Sequence, residues 1–231
     1  NLGSHTYAPN GGQSVVLTVT DVNGNSSACA AVVTVEDNVA PDAVCQNITV
    51  QLDNAGNASI VASQIDGGSS DACGIESIVA SQTAFDCGDV GVVSVTLTVT
   101  DVNGNVSTCA ADVTVEDNVA PVALCQNVTV QLDANGNGST TANAVDNGSS
   151  DACGIASLSL TPSSFTCNEV GANTVVLTVT DVNGNVSTCT ATATVEDNVA
   201  PNALCQNVTV QLDANGNGST TAQAVDNGSN D

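Results

Sequence analysis

The chain has 231 residues, with 24 Asp and Glu, one His and no Lys or Arg, so its formal net charge is −24. No side chain can neutralise a run of phosphates, which excludes nucleic acid as a partner. No apolar run is long enough to span a bilayer, and no signal peptide is visible, as expected for a chain whose leader is removed or for an excerpt of a longer protein.

The first part of the chain is predicted to be the second half of a β-domain. Residues 15–20 alternate apolar and polar side chains, as a half-buried strand does, and Asn23-Gly24 is a hairpin signal. Residues 30–35 form the predicted returning strand. Pro41 cannot donate a hydrogen bond to a strand ladder, so we place a domain boundary after residue 37.

Residues 38–117 carry the strand signals of one whole domain. The spacing of these signals, without helical periodicity, predicts an all-β fold, an immunoglobulin-like β-sandwich with Greek-key connections. The predicted strands are residues 45–52, 58–65 and 75–81, followed by a closing hairpin of 93–100 and 106–115.

The motif Asp-Val-Asn-Gly-Asn opens at Asp21, Asp101 and Asp181, at a constant spacing of 80 residues. Self-similarity at a fixed period indicates a tandem array. We therefore expect immunoglobulin-like β-sandwich domains stacked end to end. The predicted domains are the C-terminal half of one domain at 1–37, complete domains at 38–117 and 118–197, and the N-terminal half of another at 198–231.

Three motifs recur in each repeat: Asp-x-x-x-Pro with a Cys four residues later, Asn-(Ile/Val)-Thr-Val, and a late strand–Asp-x-x-Gly-Asn–strand–Cys. In these motifs the whole chain resembles the hyalin-repeat (HYR) family. That family consists of immunoglobulin-like modules found in tandem in secreted and surface proteins, including very long bacterial ones. The resemblance implies adhesion or scaffolding without catalysis. The Val-Ala-Pro linker and an extra cysteine pair per repeat depart from the family pattern.

Ten cysteines in small domains poor in aromatic residues indicate disulfide staples and an oxidising, extracellular setting. In an immunoglobulin-like sandwich the first and last strands run parallel and side by side, which brings the first and last cysteines of each repeat to the same pole. A thiolate metal site is the alternative, but the spacings match no zinc pattern. The predicted bonds are Cys45–Cys109 and Cys125–Cys189, with Cys73–Cys87 and Cys153–Cys167 as local staples.

Cys29 and Cys205 are left over from this pairing. A Cys29–Cys45 bond is excluded, because an extended stretch would separate the two beyond disulfide reach. The two half-domains together lack only a few residues of one domain. One hypothesis is that the tail of one subunit completes the head of the next through a Cys205–Cys29 bond, giving a head-to-tail filament of copies of the chain. The other is that the sequence is a window of one long chain, whose continuation completes both halves. A gapped alignment that matches Gly3 and Thr6 with Gly171 and Thr174 favours the window.

Acidic residues that recur in every copy lie in predicted loops or at strand ends. The loop before the third strand and the closing hairpin turn are expected at the pole that receives the linker, so their carboxylates would meet those of the linker. Carboxylates that converge without a basic residue are costly unless a hard cation joins them, and Ca²⁺ suits such ligands. The predicted calcium ligands are Asp21, Glu36, Asp37, Asp66, Asp71, Asp101, Glu116, Asp117, Asp146, Asp151, Asp181, Glu196, Asp197, Asp226 and Asp231. The alternative is that these residues only form turns, which is the favoured interpretation for Asp53, Asp133 and Asp213.

The sequence contains no Ser/His/Asp set, phosphate loop or cofactor motif, so we predict no enzymatic activity. The predicted function is that of a structural subunit, or a repeat window, of an extracellular filament or stalk, stiffened by disulfides and by calcium between domains. The alternatives are the repeat region of a cell-surface adhesin and the spacer of a secreted enzyme. The near-identity of the copies favours the filament.

Overall fold

The computed structural model describes residues 11–230, which are nearly all β. The chain divides into two compact units, one ending at Asn118 and the other beginning at Val119. The first unit holds a β-hairpin, here called the first half-module (11–37), and the first module (38–117). The second unit holds the second module (119–197) and the last half-module (198–230). Among the described residues, no helix is long and apolar enough to cross a membrane.

The first unit begins with an antiparallel hairpin and continues as a sandwich of a four-stranded and a two-stranded sheet. Its elements are β1 (Gly11–Thr20), β2 (Ser26–Val35), β3 (Ile48–Gln51), β4 (Asn57–Ser59), α1 (Ala62–Ile65), β5 (Ile75–Ala80), β6 (Ala84–Asp86), β7 (Gly91–Asp101) and β8 (Val106–Glu116). The larger sheet has the order β3-β8-β7-β5, and β4 pairs with β6. The first and last strands of the module, β3 and β8, are parallel neighbours, whereas β5–β7 and β7–β8 are antiparallel.

The second unit repeats this topology in its complete module, with the sheet order β11-β13-β14-β9 and the pair β10-β12. Its elements are β9 (Val128–Gln131), β10 (Asn137–Ser139), α2 (Ala142–Val145), β11 (Ile155–Thr161), β12 (Ser164–Thr166), β13 (Gly171–Asp181), β14 (Val186–Glu196) and α3 (Ala222–Val225). Helix α3 belongs to the last half-module, in which no strand is assigned. The predicted all-β architecture of tandem immunoglobulin-like modules is confirmed.

The core of each module is built from the alternating apolar side chains of the long strands. Val95, Leu97 and Val99 on β7 are fully buried, and the residues between them point to the other face of the sheet. Phe85 from the smaller sheet closes the same core. The second module has an equivalent cluster that contains Val130, Leu132, Val145, Phe165, Val175, Leu177, Val179, Ala191, Ala193 and Val195.

Two of the predicted strands are shorter in the structure. β3 begins at Ile48, because Cys45 makes only an isolated bridge to Asp66. The predicted strand 58–65 is wrong in its second half, where α1 follows β4. The Gln64 side chain accepts a hydrogen bond from the Val61 backbone N–H at 2.8 Å, and this local cap favours a helical turn over continued pairing.

Each module has two poles that are defined by the direction of its parallel strand pair. β3 and β8 both run from the end that holds Cys45 and the 101–105 turn, here called the entry pole, to the end that holds the 53–57 turn, here called the exit pole. The linker that follows β2 arrives at the entry pole, where the Asp37 carbonyl accepts a hydrogen bond from Asn105.

The disulfides Cys45–Cys109 and Cys125–Cys189 are formed, with Cα–Cα distances of 5.8 and 5.9 Å. They are the bonds predicted between the first and last strands. Each bond joins the segment just before the first strand of its module to the last strand, at the entry pole.

The predicted local staples Cys73–Cys87 and Cys153–Cys167 are wrong, because Cys73 and Cys167 are free thiols. Cys73 lies in the entry-pole loop just before β5, whereas Cys87 follows β6 at the exit pole, with its Sγ 3.8 Å from the Gly56 carbonyl oxygen. Cys167 has the same exit-pole position, 3.8 Å from the Gly136 carbonyl oxygen. Proximity in sequence therefore does not correspond to proximity in space.

Candidate functional site

The entry pole of the first module gathers three potential ligands from two segments. Asp37 lies in the linker that follows β2, and Asp71 and Cys73 lie in the loop before β5. One carboxylate oxygen from each aspartate and the Cys73 Sγ all lie within 4.8 Å of one another. All three residues are half-buried, and the sequence provides no Lys or Arg to offset their charge.

Asp101, at the end of β7, is fully buried beside this group and serves its own turn. Its Oδ1 accepts hydrogen bonds from the backbone N–H groups of Asn103 and Asn105, both at 2.8 Å, and its Oδ2 accepts one from the Asn105 side chain at 2.7 Å. Burial raises the pKa of Asp101, but the hydrogen bonds from Asn105, Asn103 and Gly104 outweigh it and hold this pKa below its ordinary value.

Asn105 connects the closing turn to the linker. Its Nδ2 donates to Asp101 Oδ2 and also to the Asp37 carbonyl oxygen, at 3.1 Å. In the exposed first half-module, Asn25 makes the equivalent bond to Asp21 Oδ2 at 2.9 Å. The repeated motif thus builds the turn in both places, and its last asparagine holds the linker carbonyl at the entry pole of the first module.

The carboxylates of Asp37 and Asp71 each use one oxygen locally. Asp37 Oδ1 accepts from the Val39 N–H at 3.0 Å, and Asp71 Oδ1 accepts from the N–H groups of Cys73 at 2.7 Å and Gly74 at 3.2 Å. A hydrogen bond to Asp37, then burial, then repulsion by nearby carboxylates raise the pKa of the Cys73 thiol to about 11. At neutral pH the thiol is therefore protonated.

Most of the other predicted calcium ligands serve their own loops. Asp66 and Asp146 accept hydrogen bonds from the N–H groups of Ser69 and Ser149, at 2.9 and 3.0 Å, and Asp226 bonds Ser229 in the same way at 2.9 Å. For all three, hydrogen bonds led by the serine side chain lower the pKa of the carboxyl group.

The predicted glutamate ligands are placed differently from the aspartates. Glu116 and Glu196, at the ends of β8 and β14, accept hydrogen bonds from the Gln51 and Gln131 side chains, both at 2.7 Å. These contacts lie within each module, at its exit pole. Glu36 is exposed.

The remaining predicted ligands repeat these arrangements. Asp21 and Asp181 accept hydrogen bonds within their own turns, as Asp101 does. Asp151 accepts a hydrogen bond from the Cys153 N–H, and Asp197 accepts one from the Val199 N–H. Asp117 is buried. Asp231 lies outside the described residues.

Asp37, Asp71 and Cys73 would form an incomplete calcium site, in which most of the coordination shell comes from other groups. Ca²⁺ takes six to eight oxygen ligands, and a thiol is a poor ligand for it. Asp37 and Asp71 supply two carboxylates, so backbone carbonyls and water would have to complete the shell.

Sequence reasoning missed two members of this site. Cys73 was assigned to a staple, although the Asp-Ala-Cys triplet already put it two residues from a predicted ligand. Asn105 is not among the predicted ligands, although it recurs with Asn25 and Asn185 as the last residue of the repeated motif. The recurrence was the available signal, but the linker carbonyl that Asn105 binds could not be read from the sequence.

The fold defines a class, tandem immunoglobulin-like β-sandwich modules with a parallel first–last strand pair. No family model and no curated protein matches the chain, so the resemblance to hyalin repeats stays a prediction. Similar solved structures include the protocadherin γB4 extracellular domain, at 17% identity and a TM-score of 0.37, with 85% of this chain and 39% of that chain covered. The chain thus spans about two fifths of the length of that structure.

Two shorter protocadherin fragments are also similar to the chain. Mouse clustered PcdhgC3 EC1-3 has 13% identity and a TM-score of 0.33, with 82% of this chain and 78% of that chain covered. The human mucin-like protocadherin EC1-2 has 13% identity and a TM-score of 0.33, with 68% and 98% covered. At this level of likeness, the fold assignment rests on the strand pairing of the chain itself.

Proposed function

We propose that the chain is a non-catalytic structural element of an extracellular filament or stalk, in which the two half-modules are completed by one another across copies. The observation that carries this proposal is the exposure of surfaces that the complete modules bury. Leu17 is 47% exposed, whereas its equivalents Leu97 and Leu177 are fully buried, and Leu212 is 68% exposed, whereas Leu132 is 5% exposed. Burying one such leucine contributes about 2 kcal/mol.

The complete modules give the register in which the halves would join. In the first module β8 pairs in parallel with β3, with Val113 opposite Ile48. Shifting the two partners of this pair by multiples of the 80-residue repeat places Val33 of β2 opposite Val208 of the last half-module. Among residues 11–230, β2 has no parallel neighbour, and residues 208–211 form no strand. A second copy would therefore supply the missing strand by β-strand addition.

The cysteines of the half-modules fit the same register. Cys29 and Cys205 are exposed free thiols at the repeat positions that form Cys45–Cys109 and Cys125–Cys189 in the complete modules. A Cys205–Cys29 bond between copies would close the composite module covalently. The existing disulfides support an oxidising, extracellular location.

Calcium would stiffen the joints of this array. Asp37 and Asp71 would hold the ion at the entry pole of the first module. The convergence of the two carboxylates, in a chain without Lys or Arg, supports this part of the proposal.

Non-reducing electrophoresis after oxidation with glutathione disulfide tests the assembly. We expect a ladder of multimers from the unmodified chain and from Cys73→Ser, and loss of the ladder in Cys29→Ser and in Cys205→Ser. A ladder that survives in Cys29→Ser would overturn the exchange. A single chain much longer than 231 residues in reduced native material would show that the halves are completed by continuation of the same polypeptide.

Calorimetric titration with CaCl₂ tests the ion separately. We expect weak binding, with a Kd of about 10⁻⁴–10⁻³ M as in extracellular modules. Asp71→Asn should weaken it, whereas Asp53→Asn, in a turn at the exit pole, should not. Equal binding by the two variants would contradict the proposed calcium site at the entry pole and would leave the assembly proposal unaffected.

A further inference from the structure

The second module contains the tripeptide Asn-x-Ser/Thr, the acceptor sequence for N-linked glycans, at Asn127, Asn137, Asn147 and Asn185. All four satisfy the motif equally well, so the sequence alone does not show which of them carries a glycan. A glycan is bulky and needs a site on the protein surface. The hydrogen bonds and exposure of each asparagine therefore distinguish the four.

Three of the four side-chain amide groups are held in place by hydrogen bonds within the second module. The bonds join Asn127 Oδ1 to the Thr192 N–H at 2.8 Å, Asn137 Nδ2 to the Asn135 carbonyl oxygen at 3.1 Å, and Asn185 Nδ2 to Asp181 Oδ2 at 2.9 Å. A glycan at any of these positions must fit around an amide group whose orientation the fold has already fixed.

Asn147, in the loop that follows α2, differs from the other three. Its side chain is exposed and makes no hydrogen bond with the described residues. The backbone around it is held, because the Asn147 N–H donates to the Leu124 carbonyl oxygen at 2.9 Å and Ser149 Oγ accepts from the Leu124 N–H at 3.0 Å. The loop therefore presents an unused amide group to solvent on a fixed backbone.

The chemistry of the linkage separates Asn147 from the closing-turn asparagines. An N-linked glycan replaces one of the two hydrogens on Nδ2 and leaves the amide carbonyl in place. Asn105 Nδ2 donates to Asp101 Oδ2 at 2.7 Å and to the Asp37 carbonyl oxygen at 3.1 Å, so both of its hydrogens are used. A glycan there would remove one of these bonds and destabilise the turn, whereas a glycan on Asn147 breaks no bond.

We propose that Asn147 carries an N-linked oligosaccharide, and that Asn227 carries another, because residues 145–149 and 225–229 are identical and Asn227 is exposed. The donor is an oligosaccharide on a lipid pyrophosphate. The bond from C1 of its first sugar to the pyrophosphate oxygen breaks, a C1–Nδ2 bond forms, and the pyrophosphate leaves with the displaced amide proton. The inference requires the extracellular location and does not depend on the assembly of copies.

The glycan would distinguish two modules whose backbones are alike. In the first module Gly67 occupies the position of Asn147, so the loop 66–70 contains no acceptor. A Cβ at Gly67 would lie 2.9 Å from Val44 Cγ1, which leaves little room for a side chain there. A neutral, hydrated polymer would therefore cover this entry-pole loop in the second module, and the same loop of the first module would stay bare.

Peptide mapping of the native protein tests the proposal. The chain has no Lys or Arg, so the digest uses Asp-N, which releases residues 146–150 and 226–230 as separate peptides. Peptide N-glycosidase in heavy-oxygen water then converts each glycosylated asparagine to a labelled aspartate. We expect label at Asn147 and Asn227 and none in peptide 101–111, which contains Asn105. An unlabelled Asn147 would overturn the proposal, and label at Asn105 would overturn the selection by free amide hydrogens.

A matched pair of variants, secreted by the source organism, gives a second measure. On electrophoresis after reduction, Asn147→Gln should migrate faster than the parent chain, because it lacks one oligosaccharide. Asn143→Gln is the control, since Asn143 is exposed in α2 and does not begin an acceptor tripeptide. Its mobility should equal that of the parent chain. Equal mobility of Asn147→Gln and the parent chain would contradict the glycan, whatever the outcome for the assembly.

Discussion

One stretch of sequence occurs twice in the molecule with two structures. Residues 123–142 and 203–222 are identical. In the second module this stretch forms β9 and β10, and its Leu132 is almost fully buried. In the last half-module the same residues form no strand, and the equivalent Leu212 is 68% exposed. The difference arises outside the stretch, because only the second module contains β13 and β14.

The features shared by the two copies are the local ones. The turn at Asp133 recurs at Asp213, where the aspartate carbonyl accepts a hydrogen bond from the glycine N–H three residues on, at 2.9 and 3.0 Å. Helix α3 repeats α2, and the threonine hydroxyl before each accepts from an alanine N–H, at 3.3 and 3.2 Å. Turns and caps thus form from neighbours in sequence, whereas these short strands form only when a partner strand is present.

The largest expected difference concerns the cysteine of this stretch. Cys125→Ser should lower the free energy of unfolding of the second module by about 4 kcal/mol, because its bond closes a loop with a sequence separation of 64. Cys205→Ser should change it by less than about 0.5 kcal/mol in monomeric protein, since Cys205 is an exposed thiol. Denaturant unfolding checks both variants. Equal losses would mean that Cys205 is already paired in the monomer.

The leucine pair is expected to show a smaller contrast. Leu132→Ala should cost about 3 kcal/mol of unfolding free energy, because it leaves a cavity in the core of the second module. Leu212→Ala should be nearly neutral while the half-module stays open. In assembled material it should become costly, which would show as weaker association by analytical ultracentrifugation. A large effect of Leu212→Ala in the monomer would contradict the exposed state.

The asparagine of the closing turn should show an effect of about 1 kcal/mol. Asn105→Ala removes the hydrogen bond to the Asp37 carbonyl as well as that to Asp101, so the unfolding free energy of the first module should fall by about that amount. Asn25→Ala is the matched control, because Asn25 makes the equivalent hydrogen bonds to Asp21 in its own turn. Similar losses of unfolding free energy in both variants would show that the turn accounts for the whole effect and that the hydrogen bond to the linker carbonyl contributes nothing.

The smallest expected difference is in the titration of the loop aspartates. Serine hydrogen bonds lower the pKa of both Asp146 and Asp226, so both should titrate below the ordinary value of 3.8 in a carbon-detected NMR titration. Because the folded pKa is lowered, the stabilisation is present above this value and is lost as the pH falls through the folded pKa. Ser149→Ala and Ser229→Ala should raise the pKa of the neighbouring aspartate. An Asp226 that titrates normally would mean that the loop does not survive in the half-module.

The fold could be predicted from the sequence because apolar and polar side chains alternate along the long strands and because the 80-residue repeat is nearly exact. The Asn-Gly turns, the long hairpin of β7 and β8 and the Cys45–Cys109 bond all follow from local pattern and module topology. The length of strand β4 is overestimated from the sequence. The hydrogen bond that Gln64 accepts favours a helical turn over strand pairing, and the apolar–polar pattern does not show which of the two is more stable.

The candidate site was harder to predict because its members come from different segments. The recurrence of acidic residues predicts that Asp37 and Asp71 are neighbours, which the structure shows, whereas the hydrogen bond that Glu116 accepts from Gln51 has no signal in the sequence. The cysteine staples failed because Cys73 and Cys87 lie at opposite poles, and sequence distance gave no hint of this. Pole assignment requires the direction of each short strand, which the sequence did not determine.

The bond between Cys45 and Cys109 has a mechanical consequence for any array built from such modules. A pulling force enters a module near Cys45 and leaves beyond β8, so it passes through the sulfur atoms and along the last strand. The polypeptide between the two cysteines carries no load. Even a module that melts under tension could therefore lengthen only by its short flanking segments, and the fibre would resist stretching while its bonds stay oxidised.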